Sequence, residues 1–354
     1  MGWIIRFELM IQQSRLDLAN NRVYKNNMVR KMYNDYPYIF IIQGEDMYKL
    51  IFDIGATNTK FALMSIDGKI LEREKVPTIY SSVDEYLDNM VRIVTKYRQQ
   101  ADEIAISTNG RMCTDGETYR AYIMNLLQGI NLKKEMESRT GLPVAVLNDG
   151  FSATMGEWWK GTGKGTKNLL VIVLGSGMGS GLILNGKLYQ GSKLNAAMVF
   201  GMVNAYGSDK YDLAGISTAF SLLLYQLSLM KQIPMEQMTG QKFFEFVTEG
   251  DPIVTRMLDQ YCQSIAGIVY NSAMLLDLDS IVITGGLSAQ SIIIEMVNQK
   301  LLEIPKKVMQ DQEVAIMLEM ANVDASDFQI QVKKGELALD ANLYGALYYL
   351  LHME

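Results

Sequence analysis

Apolar and polar positions sort the chain from residue 48 onward into short strands that alternate with amphipathic helices. Residues 49–53 form an apolar run ending in the carboxylate of Asp53. Residues 60–66 make a second run, followed by Asp67-Gly68 and then residues 69–75. An Asp-Gly pair between two such runs predicts a hairpin. Ser82 with Glu85 three residues on can form a capping box, and Leu87, Met90, Val91, Val94 and Tyr97 then recur at helical spacing. Further strands are expected at 103–108, 144–148 and 168–174. Three strands, then helix and strand in alternation, predict an α/β fold with a mixed sheet.

The pattern repeats within the chain. Residues 53–69 read DIGATNTKFALMSIDGK and residues 174–187 read LGSGMGSGLILNGK. Each is a loop of small residues, then an apolar strand, then a turn carrying Gly-Lys. Two related halves, each giving one glycine-rich hairpin to a shared cleft, explain the echo; chance likeness between two hairpins is the other reading.

Composition narrows the function classes. A length of 354 residues suits two lobes with separate cores. With 49% hydrophobic and 20% charged residues the chain has an ordinary globular composition. The net charge is -6, and the main body has no concentration of Lys and Arg, so nucleic acid is not an expected partner. Cys113 and Cys262 stand far apart, which excludes a disulfide framework and a cysteine zinc cluster and suits a reducing cytoplasm. The one histidine, His352, lies at the C-terminus, leaving almost nothing for a Ser-His-Asp mechanism. No apolar run approaches the ~20 residues of a membrane span, so no membrane association is expected.

Residues 1–46 differ from the rest: they show no sustained period, and no glycine occurs between Gly2 and Gly44. Codons for Gln43-Gly44-Glu45-Asp46 can spell a bacterial ribosome-binding sequence ahead of Met47. The expectation is a start at Met47, with residues 1–46 a non-native or disordered extension. A genuine N-terminal arm is the alternative, and a winged-helix DNA-binding domain would need a clearer helix-turn-helix pattern.

Four segments carry candidate chemistry. In Asp53-Ile54-Gly55-Ala56-Thr57-Asn58-Thr59-Lys60 the small residues admit phosphate oxygens to the backbone amides, Thr57, Asn58 and Lys60 add donors, and Asp53 could hold Mg²⁺ through water. A plain hairpin turn has the same look. The second loop, Gly175-Ser176-Gly177-Met178-Gly179-Ser180-Gly181, has four glycines in seven positions without the Lys-Ser/Thr of a Walker loop. Two such loops at matching places favour phosphate binding. Thr284-Gly285-Gly286 follows an apolar strand and offers a surface for an adenine ring and ribose. Asn148-Asp149-Gly150 places a carboxylate at a strand end, where an aspartate can take the proton of a hydroxyl that attacks a γ-phosphate; a simple Asn-Asp-Gly turn is the alternative.

Taken in order, these motifs resemble the ROK family (repressors, uncharacterised reading frames and sugar kinases) of the actin-like ATPase superfamily. The resemblance runs over about residues 48–350. It includes Ser107-Thr108-Asn109-Gly110, Thr140-Gly141-Leu142-Pro143-Val144, Gly156-Glu157 and Asp340-Ala341-Asn342-Leu343-Tyr344-Gly345-Ala346. The stretch between Ile104 and Trp158 is similar to the zinc-free subgroup of β-glucoside kinase. The resemblance implies a two-lobed actin-like (duplicated ribonuclease H-like) fold, with a small lobe at 47–160, a large lobe at 161–338 and a closing helix at 339–354 that returns to the small lobe. It also implies a cytoplasmic homodimer and ATP-dependent phosphorylation of a hexose or hexose derivative, usually at the 6-OH. Asp149 matches the catalytic base, and Gly110, Asn125 and Asn148 fall at sugar-contacting positions. Gly55, Thr57 and Lys60, with Gly175, Ser176 and Gly177, match the phosphate loops.

Two departures stand out. Residues 205–217 contain no cysteine or histidine, so the zinc site of many family members is not expected. In Asn195-Ala196-Ala197-Met198-Val199-Phe200-Gly201-Met202, the family's sugar-gripping Glu is Met198 and its His/Tyr is Gly201. A charged hydrogen bond is worth ~1.5–3 kcal/mol, so its loss implies roughly 10- to 100-fold weaker grip unless something replaces it. Either the enzyme takes an unusual substrate with an apolar or blocked end against Met198 and Phe200, or it is a degenerate kinase turned sugar sensor. A repressor-like role is the remaining alternative.

Overall fold

A computed structural model describes residues 47–79, 81–112, 118–120, 125–194, 196–203, 213–321 and 329–352. The reading of residues 1–46 falls outside them. Residues Met47–Glu354 form one compact unit. The strands are β1 (Tyr48–Ile54), β2 (Asn58–Met64), β3 (Ile70–Pro77), β4 (Ala101–Thr108), β5 (Arg111–Met112), β6 (Thr118–Arg120), β7 (Val144–Asn148), β8 (Leu169–Leu174), β9 (Met178–Leu184), β10 (Lys187–Leu188), β11 (Ser280–Thr284) and β12 (Val332–Lys334). The helices are α1 (Val83–Lys96), α2 (Leu132–Thr140), α3 (Asp149–Trp159), α4 (Ala214–Ser217), α5 (Phe220–Lys231), α6 (Gly240–Thr248), α7 (Pro252–Leu276), α8 (Ser291–Gln310), α9 (Gln312–Met320) and α10 (Ala341–His352).

The two five-stranded sheets share one topology. The first has the order β3-β2-β1-β4-β7 and the second β10-β9-β8-β11-β12. In each, a hairpin ladder is antiparallel and the remaining strands join in parallel. The internal echo is therefore a duplicated sheet, and the α/β fold with mixed sheets is the observed one. Some strands differ from the expected runs. β2 starts at Asn58 because the antiparallel ladder closes as far as Ile54–Thr59, leaving only residues 55–57 as turn. Half of the expected capping box forms: the Ser82 hydroxyl accepts the Glu85 amide at 3.1 Å, while the Glu85 carboxylate accepts the Ser81 hydroxyl.

In the first sheet β1, β4 and β7 are buried on both faces, as near-continuous apolar strands predict, whereas the edge strand β3 is mostly exposed. Leu50, Phe52, Ile54, Ile104 and Ile106 pack on Leu87, Met90 and Val94 of α1 and on α2. Ile51, Ala62, Ala105 and Ala145 point the other way, onto Leu343, Ala346 and Leu347 of α10. Helix α3 lies against α10 on one side and against β8 and β9 on the other, which explains why residues Gly150 to Glu157 are all buried, the polar Ser152, Thr154 and Glu157 included. The second sheet carries the largest core, built on α7 with Tyr261, Ile265 and Val269.

α3 and α10 cross at backbone contact. A β-carbon at Gly345 would lie 1.6 Å from the Ser152 carbonyl oxygen. In an exposed helix Gly→Ala would help; here it must push the two helices apart. Gly345→Ala is expected to destabilise the protein by about 3 kcal/mol, read as a lower urea midpoint at unchanged slope. An unchanged midpoint would show that this crossing has slack.

Candidate functional site

In a parallel ladder the carboxyl ends of the strands fall on one edge. Register pairs Asp53 with Ser107 and Thr108 with Asn148, which brings the ends of β1, β4 and β7 together. The second sheet presents the turn after β8 to the same cleft. The cleft, of about 470 Å³, is lined by Asn109, Gly110, Asn148, Asp149 and the Gly175–Gly177 turn, among others.

Asn148 ends β7 and caps α3: its Oδ1 accepts the Phe151 amide at 3.2 Å. Its Nδ2 donates to the Gly110 carbonyl at 2.8 Å and to Asp149 Oδ1 at 3.0 Å. Asp149 Oδ1 also accepts the Gly150 amide at 2.8 Å. Both of these bonds fall on Oδ1, and the Asp149 side chain lines the cleft. Burial, reinforced by the charge of Asp53, pushes the Asp149 carboxyl up to about 6, against the pull of the Gly150 amide and the Asn148 side chain.

Asp53 is buried and doubly held. Lys60 Nζ donates to its Oδ2 at 3.0 Å, and Asn342 Nδ2 to its Oδ1 at 2.8 Å. Lys60 faces Asp53 because the two are direct partners across the β1–β2 hairpin; it also donates to the Leu339 carbonyl at 3.0 Å. The first loop is braced by Thr78, whose hydroxyl donates to the Gly55 carbonyl at 2.8 Å and whose amide donates to the Thr57 carbonyl at 3.0 Å. Of that loop Ala56 lines the cleft, whereas Gly55, Thr57, Asn58 and Lys60 do not.

In the second loop the Gly175 amide donates to the Gly177 carbonyl at 3.0 Å, and the Ser176 carbonyl accepts the Ser221 amide at 3.0 Å from the start of α5. A β-carbon at Gly175 or Gly177 would meet no protein atom within 4 Å, so neither packing nor neighbours demand glycine there. The space they leave opens on the cleft. Gly285 sits beside this loop with φ +90°, and a β-carbon on it would lie 2.6 Å from the Leu174 carbonyl oxygen. Gly286 lines a second recess with Leu287, Gln290, Gln241 and Phe244.

The remaining expected residues separate. Met198 lines the cleft, in the turn before the 3-10 segment Val199–Gly201. Gly201 is exposed and does not line it. Asn125 opens the turn Asn125–Leu127, with its side chain outside the described residues. Among the described residues no group of three or more His, Cys, Asp or Glu side chains gathers at one place, and no helix is long and apolar enough to cross a membrane. Sequence reasoning missed Asn342 and Tyr349, which α10 contributes to the cleft wall. Their spacing of two helical turns on one face was the available signal. It also missed Leu213 and Ile216 of the wall beside Met198.

The sequence model of the ROK family matches residues 50–201 and 218–327. Among curated proteins, the β-glucoside kinase of Listeria innocua serovar 6a is 29% identical over 250 residues, which cover 68% of this chain and 82% of that one. A ROK family glucokinase from Streptomyces griseus in complex with glucose and AMPPNP superposes with a TM-score of 0.71 at 20% identity, over 85% of this chain and 98% of that one. A ROK family protein from Streptococcus pneumoniae TIGR4 in complex with sucrose gives 0.72 at 20% identity, over 86% and 98%. At these identities the superpositions speak for the fold, while the family match extends over most of the sequence. This chain is a member of the ROK family.

Proposed function

We propose that the protein is an ATP-dependent sugar kinase, cytoplasmic and homodimeric, which phosphorylates a hexose or hexose derivative at its 6-OH through an altered sugar site. The observation that carries this reading is Asp149: a buried carboxylate just past a strand end, held through Oδ1 by Asn148 and the Gly150 amide, in a cleft that a glycine loop shares. Kinase relatives such as the Listeria innocua β-glucoside kinase support the reaction class.

The residues fit a nucleotide. Gly175 and Gly177 leave room that the protein itself does not use, and phosphate oxygens would approach the turn there, although the Gly175 amide is engaged by the Gly177 carbonyl. The apolar faces of Leu287 and Phe244, with the amides of Gln241 and Gln290, suit an adenine ring in the recess beside Gly286. Asp53 would hold Mg²⁺ through water, since both of its oxygens already accept hydrogen bonds. Bound Mg-ATP supplies the phosphoryl group and neutralises its charge. Asp149 Oδ2 receives the proton of the sugar hydroxyl, while the Gly150 amide and Asn148 fix Oδ1 and so aim the carboxylate. Closure of the two lobes on the sugar would exclude water that otherwise competes for the phosphoryl group.

Met198 and Gly201 favour a second reading, a sugar sensor without turnover. ADP release with Mg-ATP against hexoses, amino sugars and β-glucosides separates the two. Sugar-dependent release is the expected result. Nucleotide binding without release on any sugar would overturn the kinase reading.

A further inference from the structure

Resting on the kinase reading, we propose that the substrate is a sugar bearing an apolar substituent away from the reacting hydroxyl, and that Met198, Phe200, Leu213 and Ile216 form the surface that receives it. The cleft is polar around Asp149 and apolar on the wall where Leu194, Met198, Phe200, Leu213 and Ile216 gather. Among the described lining residues, polar groups reach the edge of that wall through Gln190 and through Arg111, whose guanidinium donates to the Lys193 carbonyl. Leu213 is 44% exposed and Ile216 53% exposed, although both line a cleft. A bare hexose offers hydroxyls, which would be stripped of water against these side chains without a hydrogen-bond partner in return. An alkyl or aryl group instead removes the same area from water at a gain.

The wall is also formed in advance. Leu194 and Ala197 hold φ values of +53° and +57°, a left-handed conformation that non-glycine residues rarely keep. The Ser180 hydroxyl donates to the Ala197 carbonyl from β9 and fixes that turn. An antiparallel bridge between Val203 and Leu213, and the Ala214 amide donating to the Met202 carbonyl at 2.8 Å, tie the turn to α4. Gly215 lets α4 approach Phe200, whose carbonyl oxygen would lie 2.9 Å from a β-carbon there. Two segments separated in sequence are thus held as one apolar face beside Asp149, which a substrate chain meets without reorganising the protein.

Two homologous series test this: alkyl β-glucosides from methyl to hexyl, and N-acyl glucosamines from acetyl to hexanoyl, each assayed by ADP release with Mg-ATP. In one series KM is expected to fall about fourfold per added methylene over the first few carbons, with kcat nearly constant. Ile216→Gln should flatten that fall. Turnover with KM independent of chain length in both series overturns the inference and leaves the kinase reading standing. So does a chain-length dependence that persists in Ile216→Gln. If no sugar is turned over, the kinase reading fails, and calorimetric Kd values for the same compounds decide the wall separately. A Kd that falls with chain length in the wild type and not in Ile216→Gln supports it. A flat Kd, or no binding, overturns it.

Discussion

Asp149→Asn is expected to lower kcat by about 10²–10⁴-fold, the usual worth of a positioned general base, while nucleotide affinity stays within a few-fold. The substitution is isosteric, and the asparagine oxygen can still accept the Gly150 amide and the Asn148 side chain that hold Oδ1. What disappears is the basic carboxylate in the cleft. The wild-type pH profile should show the same group. With the carboxyl pushed up to about 6, kcat/KM rises with pH to a plateau above about 7, because the base works only when deprotonated. In Asp149→Asn the residual rate should lose this limb.

The same residue predicts a stability change of opposite sign. Burial raises the folded pKa of Asp149 from 3.8 to about 6, so between about pH 4 and 6 the folded state binds more protons than the unfolded one. Its contribution is fully present below pH 4 and is lost as pH rises through 6. Removing the charge should therefore stabilise the protein at pH 7, by roughly 1–3 kcal/mol. A variant that is inactive and also less stable would mean that the carboxylate is part of the scaffold instead of a strained functional group.

Much of this arrangement was legible because it is local. The two hairpins, their glycine turns and the Asn148-Asp149 strand end are short patterns whose meaning depends on neighbours in sequence, and the echo of one hairpin in the other announced the second sheet. The place of Lys60 was legible in principle: a three-residue turn between β1 and β2 sets it opposite Asp53, so it meets that carboxylate before it meets a phosphate. Tyr349 was not. In sequence it belongs to an ordinary apolar helix end, and only the packing of α10 between β1, β4 and α3 decides that this ring faces the cleft. The apolar wall was half visible. Met198 and Phe200 stood out as departures, whereas Leu213 and Ile216 reach them through a bridge between segments that share no local pattern.

Glu157, whose role the Gly156-Glu157 pair does not disclose in sequence, predicts the largest loss of stability. Its side chain is 0% exposed and stands where both halves meet. Oε1 accepts the Thr284 hydroxyl at 2.7 Å and the Leu337 amide at 3.1 Å, and Oε2 accepts the amides of Thr162 and Glu336, each at 3.2 Å. One carboxylate therefore ties α3, the turn after it, the end of β11 and the chain leading into α10. Every partner is a donor, so no neutral side chain of the same shape can satisfy all four. Glu157→Ala leaves a hydroxyl and three amides facing a void, and is expected to cost about 4 kcal/mol, or a midpoint about 10 °C lower. Glu157→Gln keeps the volume but turns an NH₂ group towards two donors, and should cost nearly as much. Because Thr284 leads into Gly285 and Gly286, the loosened strand end should raise KM for ATP more than it lowers kcat. Urea unfolding of the glutamine variant is the sharper measurement. A cost below about 1 kcal/mol would mean that volume holds this junction, whereas a cost near that of alanine would assign it to the four hydrogen bonds.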